Sequence, residues 1–290
     1  MKPLITLLII CSTSICSTQI NRQDTLVLKR FIVTNSAIAS TWTASIFGLQ
    51  NTWYKNSQTN NFHFFDDASN WMQMDKMGHF YTTAKLSLLT SEWYKLTGVK
   101  TRKSAIAGSL IGLGYQTTLE LFDGFSTDWG FSWTDMTANV LGAGFFLAQD
   151  LLWNEQRFIP KFSYHATEYA AYRPSVLGAN FQERLLKDYN GQTYWISFSP
   201  AHIQCFQVLP KWLCISIGYS VDQKLVGDQD SYLGFQAQRE WLLSLDVDFC
   251  QLKTSRKWVN TLLKQLNYIK IPFPTMSLIN GKIYGYGIYF

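Results

Sequence analysis

The chain is poor in the residues that build dedicated chemistry. It has four histidines and five cysteines in 290 residues, and charged side chains make up only 16% of it. No H-E-x-x-H, G-x-S-x-G or P-loop pattern occurs, which removes the sequence signatures of zincins, nucleophile elbows and phosphate-cradling loops. Once a leader is cleaved, Cys205, Cys214 and Cys250 remain, an odd set without metal-knuckle spacing. At most one intramolecular disulfide can form, so the chain is not a disulfide-built scaffold. The net charge of +5 is spread thinly. No Lys/Arg-rich stripe alternates with stacking aromatics, which argues against nucleic acid as a partner. Internal repeats and low-complexity tracts are also missing.

Aromatic residues, by contrast, are plentiful at 16%. Tyr and Trp favour membrane interfaces and half-wet packed surfaces, so the composition fits a cell envelope better than free solution. The N-terminus agrees. Lys2 precedes an apolar run over 4–10, followed by small or polar residues up to Thr18. This is the layout of a secretory signal over 1–18, too short for a permanent membrane span, with cleavage expected near 16–19. Ile10 and Ile15 stand where a lipobox requires a small residue before Cys11 or Cys16, so cleavage without lipidation is favoured over a lipid anchor. The mature chain of about 270 residues can hold one large domain or two small ones.

Four helical stretches are expected over 19–160. The first, 31–54, is free of charge but diluted by Thr34, Asn35, Ser36, Thr41, Thr43 and Ser45, which suits a bundle better than a lipid-facing span. The second covers 76–96 and is closed by Gly98. The third runs over 102–122, with Gly108 and Gly112 at a spacing that admits a neighbouring backbone, and Asp123-Gly124 ends it in a turn. The fourth, 132–153, is opened by Ser132. Beyond Pro160, Asn190-Gly191 marks a turn and the hydrophobic period becomes two. Tyr194, Ile196, Phe198, Ile215, Ile217, Leu243, Leu245 and Val247 are expected to share one buried sheet face, packed on helices or membrane. An amphipathic helix carrying Trp258, Leu262 and Leu266 follows, and Pro272 and Pro274 break it before a last strand over 282–290. The fold class is α+β: an N-terminal bundle of about four helices, then a C-terminal antiparallel sheet of four to five strands over 161–290. Tyr284, Tyr286, Ile288 and Phe290 alternate like the end signal of outer-membrane β-barrels, yet four or five strands do not close an eight-stranded barrel.

The strongest functional lead is a set of polar pairs at helical spacing: Asp75 with His79, Glu120 with Asp123, and Asp135 with Asn139. Each has a plain structural reading. Asp75 resembles an N-cap, Ser132 with Asp135 a capping box, and Asp123-Gly124 a turn. Glu120 and Asn139 sit mid-helix among apolar residues and need partners, with Lys76 or His79 as the candidates for Glu120. If the three helices meet, Asp75, Lys76, His79, Glu120, Asp123, Asp135 and Asn139 form either a network that fixes helix register or a working site. A working site has two versions. In one, Asp75, His79, Glu120 and Asp123 ligate a divalent metal. In the other, His79 is a base or nucleophile while Lys76 holds an anionic group.

These blocks also carry a resemblance. Trp71 with Asp75-Lys76-Met77-Gly78-His79, Glu120-Leu121-Phe122-Asp123-Gly124, and Gly130-Phe131-Ser132-Trp133-Thr134-Asp135 with Ala138-Asn139 and Gly142 are similar to the YfiM-like predicted periplasmic lipoproteins, domain of unknown function 2279. Lys161-Phe162-Ser163 and 187–195 extend the likeness. The family has no established activity, so the resemblance implies positions rather than a mechanism. A pattern-level similarity to VanZ-like membrane proteins implies a bundle in or against a bilayer. Two functions follow as expectations. The first is a non-enzymatic envelope component binding a lipid or an outer-membrane protein. The alternative is an envelope hydrolase or transferase acting on a lipid or cell-wall precursor. No cofactor is specified.

Overall fold

The computed structural model describes residues 26–52 and 58–289. The expected signal with its cleavage point, and the end of the first helical stretch at Trp53 and Tyr54, lie outside the described residues. The chain divides into two units. One takes Met1–Asp66, Thr82–Glu155 and Arg256–Thr261, the other Asp67–Tyr81, Gln156–Ser255 and Leu262–Phe290.

The first unit is helical, as the sequence periodicity predicts. It holds α1 (Leu28–Thr52), residues 82–96 of α2 (Met74–Leu96), α3 (Thr101–Gly124) and α4 (Trp133–Trp153). Ser132, in extended conformation, caps α4 by accepting the Asp135 amide at 3.1 Å, the first half of the expected capping box, while its own amide goes to Glu120. The helix stops at Asn154, whose left-handed φ of 53° cannot continue it. Between α2 and α3 the backbones nearly touch: a Cβ on Gly108 would lie 2.4 Å from the Ser87 carbonyl oxygen, and one on Gly112 would lie 2.5 Å from Ser87 Oγ. Only glycine permits that approach. Small and polar residues fill this interior, with Thr83, Ser87, Ser91, Ser104 and Ser109 buried. Ile106, Leu110, Val140, Leu141 and Leu152 face outward. Tyr94 Oη donates to Asn35 Oδ1 (2.8 Å) and Tyr115 Oη to Ser45 Oγ (2.9 Å), fastening α1 by side-chain hydrogen bonds. At the junction of α3 and α4, Phe62, Phe64, Phe125, Phe131 and Trp133 make an aromatic cluster with neighbouring ring centroids 5.2–5.9 Å apart. Among the described residues no helix is long and apolar enough to cross a membrane.

The second unit is built on a six-stranded antiparallel meander, β1 (Phe158–Tyr164), β2 (Gln192–Phe198), β3 (Leu213–Asp222), β4 (Gln238–Val247), β5 (Phe273–Ile279) and β6 (Lys282–Tyr289), paired in that order. Helix α5 (Phe181–Lys187) leads into β2 through a turn at Asn190 and Gly191; between β4 and β5 the chain forms α6 (Lys257–Leu266), whose residues 257–261 are counted with the helical unit and 262–266 with this one. The α+β class is as expected, but the main sheet has six strands among the described residues rather than four to five. The two additions are β1 and β5, each of which contains a proline that argues against a strand. Pro160 is tolerated because β1 is the first strand in the sheet order, and Pro274 because the β5–β6 register slips between Phe273 and Thr275. The edge of β1 is itself engaged: Phe162 donates to the Tyr268 carbonyl (3.2 Å) and accepts from Lys270 (2.9 Å), so the chain entering β5 curls back onto β1.

Register then decides the faces. Phe198, Ile215 and Leu245 are paired across β2, β3 and β4, as are Ile196, Ile217 and Leu243, so the expected residues do share one face. That face is not the buried one. Ile217 is 60% exposed and Ile215, Leu243 and Leu245 are also exposed, while Ile196, Phe198 and Val247 are half-buried and Tyr194 is buried. The buried face carries Ser197, Ser216, Ser244 and Thr275 across the same strands. The sheet is inverted relative to a water-soluble one because its polar side chains satisfy one another inside the curl.

Candidate functional site

The polar pairs divide between the units: Glu120, Asp123, Asp135 and Asn139 lie in the helical one, Asp75, Lys76 and His79 in the other. In the helical unit three helices converge on Asn139. Its Oδ1 accepts from Thr83 Oγ1 of α2 at 3.0 Å and from Gln116 Nε2 of α3 at 3.4 Å, with all three side chains buried. Gln116 stands one turn before Glu120, so both occupy the same stripe of α3. Glu120 Oε2 accepts the Ser132 amide at 3.3 Å, placing a carboxylate beside the first turn of α4 where the helix dipole favours it. Asp135 is buried in that same turn, and Asp123, half-buried, closes α3 through its carbonyl to the Ser126 amide (3.0 Å). Asp123-Gly124 is thus a helix-ending turn.

In the other unit α2 begins at Met74, so Asp75 sits inside the first turn rather than at the cap. Lys76 Nζ lies 2.6 Å from Asp67 Oδ2 and 3.4 Å from Asp75 Oδ2. Asp75 Oδ1 accepts from Tyr189 Oη at 2.8 Å and lies 3.9 Å from His79 Nε2, one turn along the helix. Burial, reinforced by the Asp75 charge, raises the Tyr194 phenol above its ordinary value, so the residue stays a neutral donor, here to Gln192. The residues before α2 are unusual. Trp71, Met72 and Gln73 all take positive φ, 51°, 50° and 66°. Each such non-glycine residue costs about 1–2 kcal/mol, so the run persists only under external constraint. The Trp71 amide donates to Gly227 (2.8 Å), and Arg239 Nη1 donates to Gln73 Oε1 (2.6 Å) and Tyr219 Oη (2.7 Å). Tyr219 Oη donates in turn to the Met72 carbonyl, and the Trp71 ring packs 5.1 Å from Tyr189. Of the candidate metal ligands, Asp75 and His79 therefore come from one helix face and meet at ion-pair distance, two of the three or four protein ligands a zinc site uses.

Sequence reasoning missed the interior of the sheet, because its charges alternate with apolar residues and read as a solvent-facing side. Lys161 and Asp246 form an ion pair at 2.8 Å with both side chains fully buried. Asp246 Oδ2 also accepts from Ser197 Oγ (2.6 Å), which meets Ser216 Oγ at 2.6 Å, and Lys161 Nζ donates to the Val247 carbonyl (2.7 Å). Lys270 donates to Ser244 Oγ (3.2 Å), and its pKa is pushed down to about 8 by burial, with Asp246 opposing and Lys161 adding to the shift. Gly218 leaves the room that the Trp195 indole occupies, since a Cβ there would lie 2.6 Å from the ring. On the outer face one end is covered: Met72 and Met74 pack with Tyr194, Tyr219 and Val221, joined by Met77, Tyr81 and Phe162. The other end is bare. There Ile215, Leu243, Leu245, Met276 and Gly285 line a shallow apolar groove of about 420 Å³.

No curated protein and no solved structure matches this chain. The comparisons do not show the VanZ-like similarity. Over residues 63–149 the chain matches the model of DUF2279, a family described as predicted periplasmic lipoproteins, which agrees with an exported, cell-envelope location.

Proposed function

We propose that this protein is a non-enzymatic, membrane-seated component of the bacterial cell envelope, with the bare outer face of its sheet set against lipid hydrocarbon. The inverted alternation of β2 to β5 carries this reading. Apolar side chains pointing out and hydrogen-bonded polar ones pointing in is the pattern of a sheet whose solvent is lipid. In water the exposed Ile215, Ile217, Leu243, Leu245, Met276 and Leu278 gain nothing from folding. Four of the six strands are short for a full crossing: β1, β2 and β5 have seven residues and β6 eight, against the roughly 9–11 a tilted spanning strand needs, a length that β3 and β4, with ten each, do reach. Seating within one leaflet fits the four shorter strands.

Flotation of the purified chain with phosphatidylcholine vesicles tests the reading. The protein should float with the lipid, and a Leu243→Lys, Ile217→Lys double variant of unchanged circular dichroism should remain below. A wild-type chain that stays monomeric and lipid-free would defeat the proposal, and one that pairs its bare faces into a dimer would replace lipid with a second copy.

The alternative, an envelope hydrolase or transferase, has one observation behind it: the Asp75–His79 pair beside a strained turn. Metal analysis of the purified protein, with a His79→Ala variant in an envelope-defect complementation assay, tests it. Bound divalent metal lost on substitution, together with failure to complement, would favour the enzyme.

A further inference from the structure

Helix α6 and its approach form a second surface. Trp258, Leu262 and Leu266 recur every four residues, so they make one stripe along the helix, and all three are exposed. Among the described residues nothing covers the apolar stripe of this amphipathic helix. The surroundings state what it would meet. Lys253, Arg256, Lys257 and Lys264 are exposed on the helix and the segment entering it. No Asp or Glu occurs after Asp248, so the last 42 residues carry basic charge only. A partner must therefore offer apolar depth and negative charge side by side, and the headgroup region of an anionic lipid layer does so. A neutral bilayer supplies only the first, and a soluble anion only the second.

We infer that α6 is an interfacial anchor for anionic phospholipid, with the Trp258–Leu262–Leu266 stripe dipped below the headgroups and the basic residues paired with lipid phosphates or carboxylates. This rests on the membrane seating proposed above and adds the lipid class. The sheet face provides apolar contact without selecting charge, whereas α6 selects it. Each Lys or Arg near an anionic surface contributes about 1 kcal/mol, or about fivefold in affinity, so three charges amount to about a hundredfold.

The test compares the full chain on vesicles of phosphatidylcholine alone and on vesicles in which half the lipid is phosphatidylglycerol, at low and high salt. Tighter binding to the anionic vesicles is expected, weakened by salt. The triple variant Lys253→Gln, Lys257→Gln, Lys264→Gln should lose roughly fivefold per charge on anionic vesicles while binding phosphatidylcholine as before. Trp258→Ser with Leu262→Ser should weaken binding to both vesicle types. Equal binding of wild type to the two vesicles overturns the inference and leaves the membrane seating intact. Failure to bind either overturns both. Binding of free phosphatidylglycerol headgroup analogue with the vesicle affinity would show an anion site rather than an interfacial anchor.

Discussion

The helical unit and the sheet unit reach the same outcome by opposite hydrogen-bond logic. Both bury many small or polar residues and leave many large apolar ones exposed. In the helices the mid-helix backbone groups are satisfied within their own segment, so where α2 and α3 meet the interior can be reduced to serines, threonines and glycines that let them approach closely. In the sheet, inward-facing positions hold real charges, and Lys161 and Asp246 remain buried only because each is the other's partner. Inversion in the helices is thus a matter of fit, and in the sheet a matter of charge balance. A void or a clash should dominate the mutational response of the first, and an orphaned ion that of the second.

The largest effect is expected at the ion pair. Asp246→Ala strands a fully buried ammonium and should lower the unfolding free energy by about 3–5 kcal/mol. Lys161→Met with Asp246→Leu removes both charges and should recover most of that loss in denaturant titrations. If the single and double variants are equally unstable, charge balance is not what holds the sheet. Next in size is Gly112→Val, which drives a branched side chain into Ser87 and should cost about 1–3 kcal/mol, visible as a lower melting temperature. Asn139→Ala removes the acceptor shared by Thr83 and Gln116 and should cost about 1–2 kcal/mol, with no change in the sheet's hydrogen-exchange protection.

A further effect concerns pH. Lys270 binds its proton less tightly folded, at about 8, than unfolded. Between that value and the ordinary lysine range the unfolded chain holds more protons, so this residue's contribution makes the protein more stable as pH rises from about 8 to about 10.5. Lys270→Met should flatten that slope in urea titrations across the window. A slope unchanged by the substitution would place its origin elsewhere.

The helices were legible because they are long and periodic and three of the four carry a recognisable boundary: Gly98 and Asp123-Gly124 mark stops and Ser132 a start. Burial of Glu120 and Asn139 was legible too, since neither sits at a cap. Strands β1 and β5 were not, because Pro160 and Pro274 are forbidden in an ordinary ladder and tolerated here by the sheet's curl and slip. The direction of the sheet's faces was hidden for a deeper reason. A period of two says which residues share a side, but only the solvent decides which side is inside. Reading Asp246 and Ser216 as wet assumed water. The turn at 71–73 had no signal at all, as none of its residues is glycine or asparagine.

That turn makes the start of α2 conditional. Three left-handed residues together raise the energy of the segment by about 3–6 kcal/mol, and the compensation comes from Gly227, Tyr219 and Arg239, which are distant in sequence and must all be in place. Loss of one contact leaves the others holding an unfavourable shape. The arrangement of Asp75, Lys76 and His79 just beyond it is therefore all-or-none rather than graded, much as a catch either engages or springs open.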